Sequence, residues 1–315
     1  MNVYLGGSTW ERLPGSAGIP ACSFRPRDYL CLRNRQAGKD ACAPRAAIRL
    51  TSPARNKGWI AIYLHSHNKK KARRAMATYT IKLKRREGVA EGTEAFYFEK
   101  PEGFQFKAGQ FLRFTLIDPP ETDAEGNTRT FSVASAPHEE DLMFATRMRD
   151  TAFKRVIKTM PLGSELEIKG AFGRMTLHDD PARPAVFLTG GIGITPFRSI
   201  ALHAARAGLP HKLILFYSNR RPEDATFLDE LEALQTINTN YRFIPTMTGA
   251  PGSSRPWSGE TGYINAGMLT RFIDDLKSPV YYAAGPEGLV TAMRKTLAEA
   301  GVGEADIRAE EFSGY

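Results

Sequence analysis

The sequence predicts two successive folded domains behind a basic leader of residues 1–75. The first, over residues 76–180, is an antiparallel β-barrel, and the second, over residues 181–315, is an α/β domain with a doubly wound parallel sheet. Three observations predict this organisation. The leader lacks periodicity, apolar and polar residues alternate from Thr78, and strand-like segments alternate with helix-like segments beyond Pro181.

The leader carries the excess positive charge of the chain. It holds 15 Lys or Arg against three acids, whereas residues 76–315 hold 28 against 31. The net charge of +9 therefore gives no reason to expect nucleic acid as a partner of the folded part. Three explanations fit the leader: an organellar transit peptide, a disordered basic arm, or translated upstream sequence with the true start at Met76. A protein that begins at Met76 is expected to fold.

Cysteine and histidine usage excludes several kinds of site. All three cysteines (Cys22, Cys31, Cys42) lie in the leader, so residues 76–315 cannot hold a disulfide or a thiolate-ligated iron–sulfur cluster. The six histidines follow no metal-ligand spacing, and no metal site is predicted. No apolar stretch approaches the roughly 18 residues of a membrane-spanning helix. We therefore expect a cytoplasmic protein without membrane association.

The barrel prediction rests on short alternating segments separated by turn formers such as Gly88, Gly92 and Gly103. One helix, over residues 151–160, interrupts the strands. The predicted strands cover residues 79–83, 95–98, 110–117, 128–134, 142–148 and 165–169. The segment His178-Asp179-Asp180 is interpreted as a solvated link to the second domain.

The second domain alternates short apolar strands with helices, as parallel sheets do. The predicted strands cover residues 185–188, 213–217, 242–247, 280–283 and 307–312, and the predicted helices cover residues 195–207, 223–234, 265–276 and 287–300. Asp229-Glu230 is interpreted as a solvated helix face. Because ligands of such sheets lie at the carboxyl ends of the strands, the turns after these strands are predicted to bind a nucleotide.

The Gly-rich segment Thr189–Pro196 joins an apolar strand to a helix. Glycines allow close approach to a pyrophosphate, Thr195 can cap the helix, Pro196 suits its first turn, and the helix amino end attracts an anion. An ordinary strand-to-helix turn would also be glycine-rich. The segment lacks the G-x-G-x-x-G spacing, which disfavours a standard Rossmann dehydrogenase.

A second motif, Arg129–Ser135, lies on a predicted strand. Alternation would place Arg129 and Phe131 on one face and Ser132 on the other. Arginine can pair with phosphate, an aromatic side chain can cover a planar ring, and a hydroxyl can bond a ring nitrogen. A half-buried strand without any such role would show the same alternation.

Together the two motifs resemble the ferredoxin-NADP reductase superfamily, whose flavin motif is R-x-[YF]-S and whose nucleotide motif is G-G-x-G-x-[TA]-P. Other matching segments follow in the same order: Gly170–Gly173, Trp257–Ile264, Ala284–Pro286 and Glu310–Phe312. The resemblance covers residues 76–315 and leaves the leader outside.

The resemblance implies a flavin in the barrel, with FAD expected and FMN as the alternative. Arg129 would hold the flavin pyrophosphate or ribityl chain, Phe131 would lie against one face of the ring, and Ser132 would hydrogen-bond the reactive N5. The amino end of the helix at Thr151 would hold the flavin phosphates. Phe312 would shield the other face of the ring.

The resemblance also implies a nicotinamide nucleotide in the second domain. Gly191, Gly193 and Thr195 would meet it, together with Gly285. Ser132, Phe312 and the neighbouring Glu310 would form the catalytic set. Tyr315 would either shield the flavin or reach the adenine.

Both NADH and NADPH remain open as donors. Asp224 aligns with an acid that favours NADH in cytochrome b5 reductase-like members, whereas Arg220 or Arg221 could grip a 2′-phosphate. The sequence favours NADH slightly. Two positions depart from the family: Ala284 stands where a cysteine is frequent, and Arg149–Thr151 stand where a Gly-rich phosphate segment is usual.

The expected activity is hydride transfer from NADH or NADPH to the flavin, followed by electron release. With no fused iron–sulfur domain, the acceptor would be a separate ferredoxin, flavodoxin, cytochrome or oxygenase, or a small molecule. Two alternatives remain: a nucleotide-binding sensor or assembly subunit without turnover, and an NAD-binding protein of another type that has lost its flavin.

Overall fold

The computed structural model describes residues 77–312, which all belong to one compact unit. Their strands form two six-stranded sheets, one antiparallel and one parallel, which confirms the predicted fold class. The predicted boundary at residue 180 falls between the two sheets and stays a prediction. Within residues 77–312, no helix combines the length and apolarity needed to cross a membrane. The leader and Tyr315, to which sequence-based roles were assigned, lie outside the described residues.

The antiparallel sheet has the strand order β4-β3-β6-β1-β2-β5. Its strands are β1 (Thr78–Ala90), β2 (Thr93–Glu99), β3 (Phe111–Leu116), β4 (Thr128–Ser132), β5 (Asp141–Arg147) and β6 (Glu165–Phe172). The two edge strands approach each other, because the backbone N–H groups of Ala134 and Ser135 both donate to the Met143 carbonyl. The sheet therefore curls into a half-barrel around one core.

Closely packed aromatic rings fill the half-barrel. Phe98, Phe114 and Phe144 are each fully buried, and their ring centroids lie 4.7–5.6 Å apart. Helix α1 (Ala152–Thr159) covers the core with Phe153 and Val156, which occupy the helical spacing i, i+3. The sequence pattern placed this helix correctly.

The parallel sheet has the order β10-β9-β8-β7-β11-β12. Its strands are β7 (Ala185–Gly190), β8 (Leu213–Asn219), β9 (Tyr241–Met247), β10 (Glu260–Thr261), β11 (Val280–Gly285) and β12 (Ile307–Glu311), and its helices are α2 (Thr195–Ala207), α3 (Leu228–Ile237), α4 (Ala266–Thr270) and α5 (Glu287–Glu299). The chain runs from β7 outward in one direction and returns to place β11 on the other side of β7. The crevice where the order reverses lies between the ends of β7 and β11.

Two predicted helices are shorter than expected. The helix predicted from residue 223 begins only at Leu228, because Phe227 adopts a left-handed backbone conformation with φ of 61° after a short 3₁₀ turn. The helix predicted over residues 265–276 ends at Thr270. Farther on, the Asp275 carboxylate accepts the Lys277 backbone N–H, a local bond that competes with helix.

The predicted solvated link at His178 is wrong. His178 is buried, and its ring nitrogens lie 2.9 Å from the Tyr282 hydroxyl and 3.0 Å from the Arg183 carbonyl oxygen. Burial lowers the pKa of His178. The ring therefore packs in the parallel-sheet half, whereas Asp179 and Asp180 are exposed as predicted.

Candidate functional site

The Gly-rich turn brings β7 against the end of β11. Residues Gly191–Ile194 form one turn of 3₁₀-helix that leads directly into α2. A Cβ on Gly193 would lie 2.4 Å from the Ala284 carbonyl oxygen, and a Cβ on Gly285 would lie 2.9 Å from the Gly190 carbonyl oxygen. Only glycine permits this approach, which closes the base of the crevice between β7 and β11.

A cavity of about 460 Å³ opens at this carboxyl edge of the sheet. Gly191, Asn219, Thr248 and Pro286, which follow or end four parallel strands, contribute to its walls. Arg147, the last residue of β5, reaches it from the half-barrel. Because doubly wound sheets bind their ligands in such a crevice, this cavity is the candidate nucleotide site.

The predicted nucleotide ligands divide into two groups. Gly191, Arg220 and Asp224 line the cavity. Gly193 and Thr195 are buried behind it, where they shape the turn rather than its surface.

Thr195 does not cap α2 as predicted. The N-cap position falls on Ile194 without a side-chain cap, and the Thr195 hydroxyl donates to the Ile192 carbonyl at 3.1 Å. The physical reason is the 3₁₀ turn, which brings the chain into helical geometry before Thr195. Pro196 lies in the first turn of α2, as predicted.

The two adjacent arginines have different surroundings. Arg221 contacts both Asp224 oxygens at 3.0 Å and reaches Glu91 of the β1–β2 turn at 2.7 Å. Arg220 is exposed at the cavity, and within residues 77–312 its side chain makes no hydrogen bond or ion pair. Arg220 is therefore the one available to a ligand phosphate.

The motif strand β4 presents one free hydroxyl. Ser132 is 8% exposed, and its hydroxyl forms no hydrogen bond within the described part of the chain. The Phe131 ring lies parallel to the Phe144 ring, with centroids 4.0 Å apart. One face of Phe131 thus packs into the barrel core, and only its other face can meet a planar ligand.

The Arg129 guanidinium is bonded by residues of the loop between β3 and β4. It lies 2.5 Å from the Asp123 carboxylate and 3.0 Å from Glu125, and it also donates to backbone carbonyls such as that of Gly126 at 2.8 Å. Bonding from Arg129 lowers the pKa of Asp123, and the backbone N–H of Ala152 acts in the same direction. A carboxylate of the chain therefore pairs with Arg129 near the amino end of α1.

Positive charge accumulates at the amino end of α1. Thr151 occupies the N-cap position without a side-chain cap bond. Burial, with help from nearby Arg149 and Arg129, lowers the pKa of Lys154, whose ammonium donates to the Arg147 carbonyl. A helix amino end surrounded by such bases favours an anion.

The last described residues lie beside the crevice between β7 and β11. The Phe312 backbone N–H donates to the Gly285 carbonyl at 3.0 Å, and its ring packs against the core of the parallel-sheet half. Burial raises the pKa of Glu310, whose carboxylate makes no hydrogen bond or ion pair within residues 77–312. Two members of the predicted catalytic set therefore lie at the end of β12, next to β11.

Comparisons with known proteins agree with this architecture. Residues 187–295 match the family model of the oxidoreductase NAD-binding domain. The chain is 29% identical over 226 residues to ferredoxin--NADP reductase B of Sorangium cellulosum, covering 68% of this chain and 89% of that protein. The resemblance to the ferredoxin-NADP reductase superfamily is therefore confirmed.

Some similar proteins extend well beyond the aligned segment. The glycine betaine monooxygenase reductase subunit of Chromohalobacter salexigens is 27% identical over 223 residues, and this chain spans only 60% of its length, with 70% of this chain covered. A solved ferredoxin NADP+ reductase from Neisseria gonorrhoeae, with bound FAD and NADP, has a TM-score of 0.62 and 23% identity, covering 74% of this chain and 98% of that one. At this identity the second similarity shows a shared ferredoxin-NADP reductase-like fold.

One cluster in this reductase-like chain was missed by sequence reasoning. Arg198 of α2 is only 5% exposed and binds Glu230 of α3 at 2.6 Å and Glu139 of the β4–β5 loop at 3.0 Å. The predicted solvated helix face is confirmed, because Asp229 and Glu230 are both exposed, although they pair with Arg255 and Arg198 respectively. A charged residue inside the apolar run of α2 was the available signal.

Proposed function

We propose that this protein is an NAD(P)H-dependent flavin oxidoreductase that passes electrons to a separate acceptor. One observation carries the proposal. Ser132, whose hydroxyl is free, is the last residue of β4, and the segment that follows it is hydrogen-bonded to α2, the helix that begins at the Gly-rich turn. The two predicted ligand motifs therefore lie close together across these contacts of Arg198 and Ser199 with Ala134 and Ser135, here called the seam. Hydride transfer between two bound ligands requires such proximity.

The residues present fit FAD. The amino end of α1 and the bases around it suit a pyrophosphate, which Arg129, Thr151 and Lys154 would hold once the phosphate competes with Asp123 for Arg129. Ser132 would bond the ring edge, and the free face of Phe131 would cover the ring. When bound, the flavin supplies the hydride-accepting chemistry and the release of electrons one at a time.

Nucleotide and proton roles fall on other residues. Arg220 and Asp224 would contact the adenosine end of the donor, and a preference for NADH stays a prediction. The raised pKa of Glu310 means that this carboxyl can hold a proton closer to neutral pH than an exposed glutamate can. Phe312 would exclude water from the ring.

The acceptor is proposed to be another protein or a small molecule. Relatives named as reductase components of a glycine betaine monooxygenase and of a terephthalate dioxygenase support a multicomponent role. Residues 76–315, which lack cysteine, offer no thiolate-ligated iron–sulfur relay of their own.

Anaerobic titration tests the proposed function. The purified protein is expected to be yellow, and NADH or NADPH should bleach its flavin absorbance without oxygen. Flavin that is retained but never bleached would support the sensor or assembly alternative. A colourless protein that binds neither FAD nor FMN would reject the proposed cofactor.

We expect opposite effects from the two partners in the Arg129–Asp123 pair. Arg129→Ala should weaken flavin binding by roughly tenfold or more, since a charge-assisted bond worth about 1.5–3 kcal/mol is lost. Asp123→Asn should tighten binding, because a phosphate would no longer compete with a carboxylate for the same donors. Fluorescence titration of the flavin-free protein measures both dissociation constants.

Glu121→Gln is the matched control for this pair. Glu121 lies in the same loop but pairs with Arg155 at 2.5 Å, so flavin affinity should not change. If Asp123→Asn weakened binding instead, Asp123 would be shown to orient Arg129 rather than to compete with the phosphate.

A further inference from the structure

The seam between the two halves is built around two consecutive residues of α2. Arg198 Nη1 donates to the Ala134 carbonyl at 2.8 Å, and the Ser199 hydroxyl donates to the Ser135 carbonyl at 2.7 Å. Both acceptors belong to the segment that continues β4 after Ser132. Both donors follow the Gly-rich turn by only a few residues. The contacts therefore join the two ligand motifs through short, regular pieces of backbone.

Arg198 is fixed from both sides of the seam. Its Nε and Nη2 atoms donate to Glu230 at 2.7 and 2.6 Å, and its two terminal nitrogens reach Glu139 at 3.0 and 3.2 Å. The Glu139 carboxylate also accepts the Ala136 backbone N–H. Burial alone would lower the pKa of Arg198, yet its bonds to Glu230 and Glu139 raise it. The buried guanidinium is thus paired with two partly exposed carboxylates from two other segments.

Ser199 completes the contact without adding charge. Its side chain is fully buried, and Ser135 is 1% exposed. The Ser135 hydroxyl in turn accepts the Met143 backbone N–H at 3.0 Å, which anchors the same segment to β5. A shift of α2 relative to this segment would leave buried polar groups unpaired, so the network resists such a shift.

We propose that Arg198 and Ser199 are positioning residues that set the distance between the two ligands of the proposed reaction. This inference rests on the proposed function. The residues act through backbone, since the strand that carries Ser132 and the turn that carries Gly191 are both held by α2. Hydride transfer depends steeply on the approach of the reacting atoms, so loosening this contact should lower the rate more than it lowers affinity.

The test uses the full chain loaded with flavin and two variants of the seam. Ser199→Ala removes one hydrogen bond and no charge. Arg198→Lys keeps the charge but loses the forked geometry that serves both acids. Glu91→Gln is the control, because it breaks a different contact between the halves, the ion pair with Arg221, away from the β4 segment.

Three quantities should separate positioning from general stability. Dissociation constants for flavin and for NAD+ should change by less than about twofold in Ser199→Ala, while flavin reduction at saturating NADH should slow by about tenfold. The absorbance change of oxidised flavin on NAD+ binding should shrink in both seam variants. Glu91→Gln should match the wild-type protein in all three.

Two results would overturn the inference: reduction at the wild-type rate in both seam variants, or a loss of affinity as large as the loss of rate. If the wild-type protein binds both ligands but is never reduced, the proposed function has failed instead. The NAD+-induced absorbance change then still decides the role of the seam, because it needs no turnover.

Discussion

Replacing Ser132 with alanine is expected to slow flavin reduction at saturating NADH by roughly tenfold, about 1.4 kcal/mol of barrier. The hydroxyl is proposed to lie beside the atom that receives the hydride, where its hydrogen bond changes as the hydride arrives. Only contacts that differ between the ground and transition states alter the chemical rate. The apparent affinity for NADH should therefore stay nearly constant. Stopped-flow absorbance measures rate and affinity together.

The surroundings of Ser132 allow this test to separate an effect on rate from an effect on stability. A strand serine paired to backbone would lose stability on substitution and keep normal kinetics, yet this hydroxyl bonds to no other group within residues 77–312. Ser132→Ala should therefore change the free energy of unfolding by less than about 0.5 kcal/mol. Thr130→Ala, at an exposed position of the same strand, should change neither rate nor stability. Normal reduction by Ser132→Ala would reject the catalytic role.

Gly193→Ala should both destabilise the fold and disable the nucleotide site. The added Cβ would lie 2.4 Å from the Ala284 carbonyl oxygen and 2.6 Å from the Gly285 Cα, and neither backbone atom can move alone. Relief requires the turn to leave β11, at a cost of about 1–3 kcal/mol. Because Gly191 lines the cavity from the same turn, nucleotide affinity should fall by more than about tenfold.

Urea unfolding and nucleotide titration measure the two effects. Gly252→Ala is the matched control, because a Cβ there meets nothing within 4 Å and its φ lies outside the left-handed range. That variant should match the wild-type protein. A Gly193→Ala protein with unchanged stability and affinity would show that the turn does not depend on close contact with β11.

Local patterns predicted those parts of the molecule that depend on neighbours in sequence. Alternating apolar and polar residues identified the antiparallel sheet, and alternating strand and helix segments identified the parallel sheet. The glycine spacing identified the turn at Gly193, because only glycine allows such close backbone approach. The partners of Arg198 could not be predicted this way, since Glu139 and Glu230 come from two other segments. The pairing of Asp123 with Arg129 likewise depends on where a loop folds back.

Dependence on distant residues also explains two wrong predictions, the start of α3 and the exposure of His178. Phe227 takes a left-handed conformation that its residue type does not favour, and tertiary packing overrides that preference. The burial of His178 depends on Tyr282, a residue of β11 far along the chain. A single sequence contains no local indication of either arrangement.

The hydrogen-bond network around Arg198 bears on how proteins of this fold can be recombined. A chimera that joined this half-barrel to the α/β half of a relative would keep Glu139 and the two backbone carbonyls but would receive a foreign α2. Without an arginine and a small hydroxyl residue at the corresponding places, the two backbone carbonyls would be buried unpaired, which is costly. Productive crossover points therefore lie beyond α2, or require grafting of that helix together with the barrel.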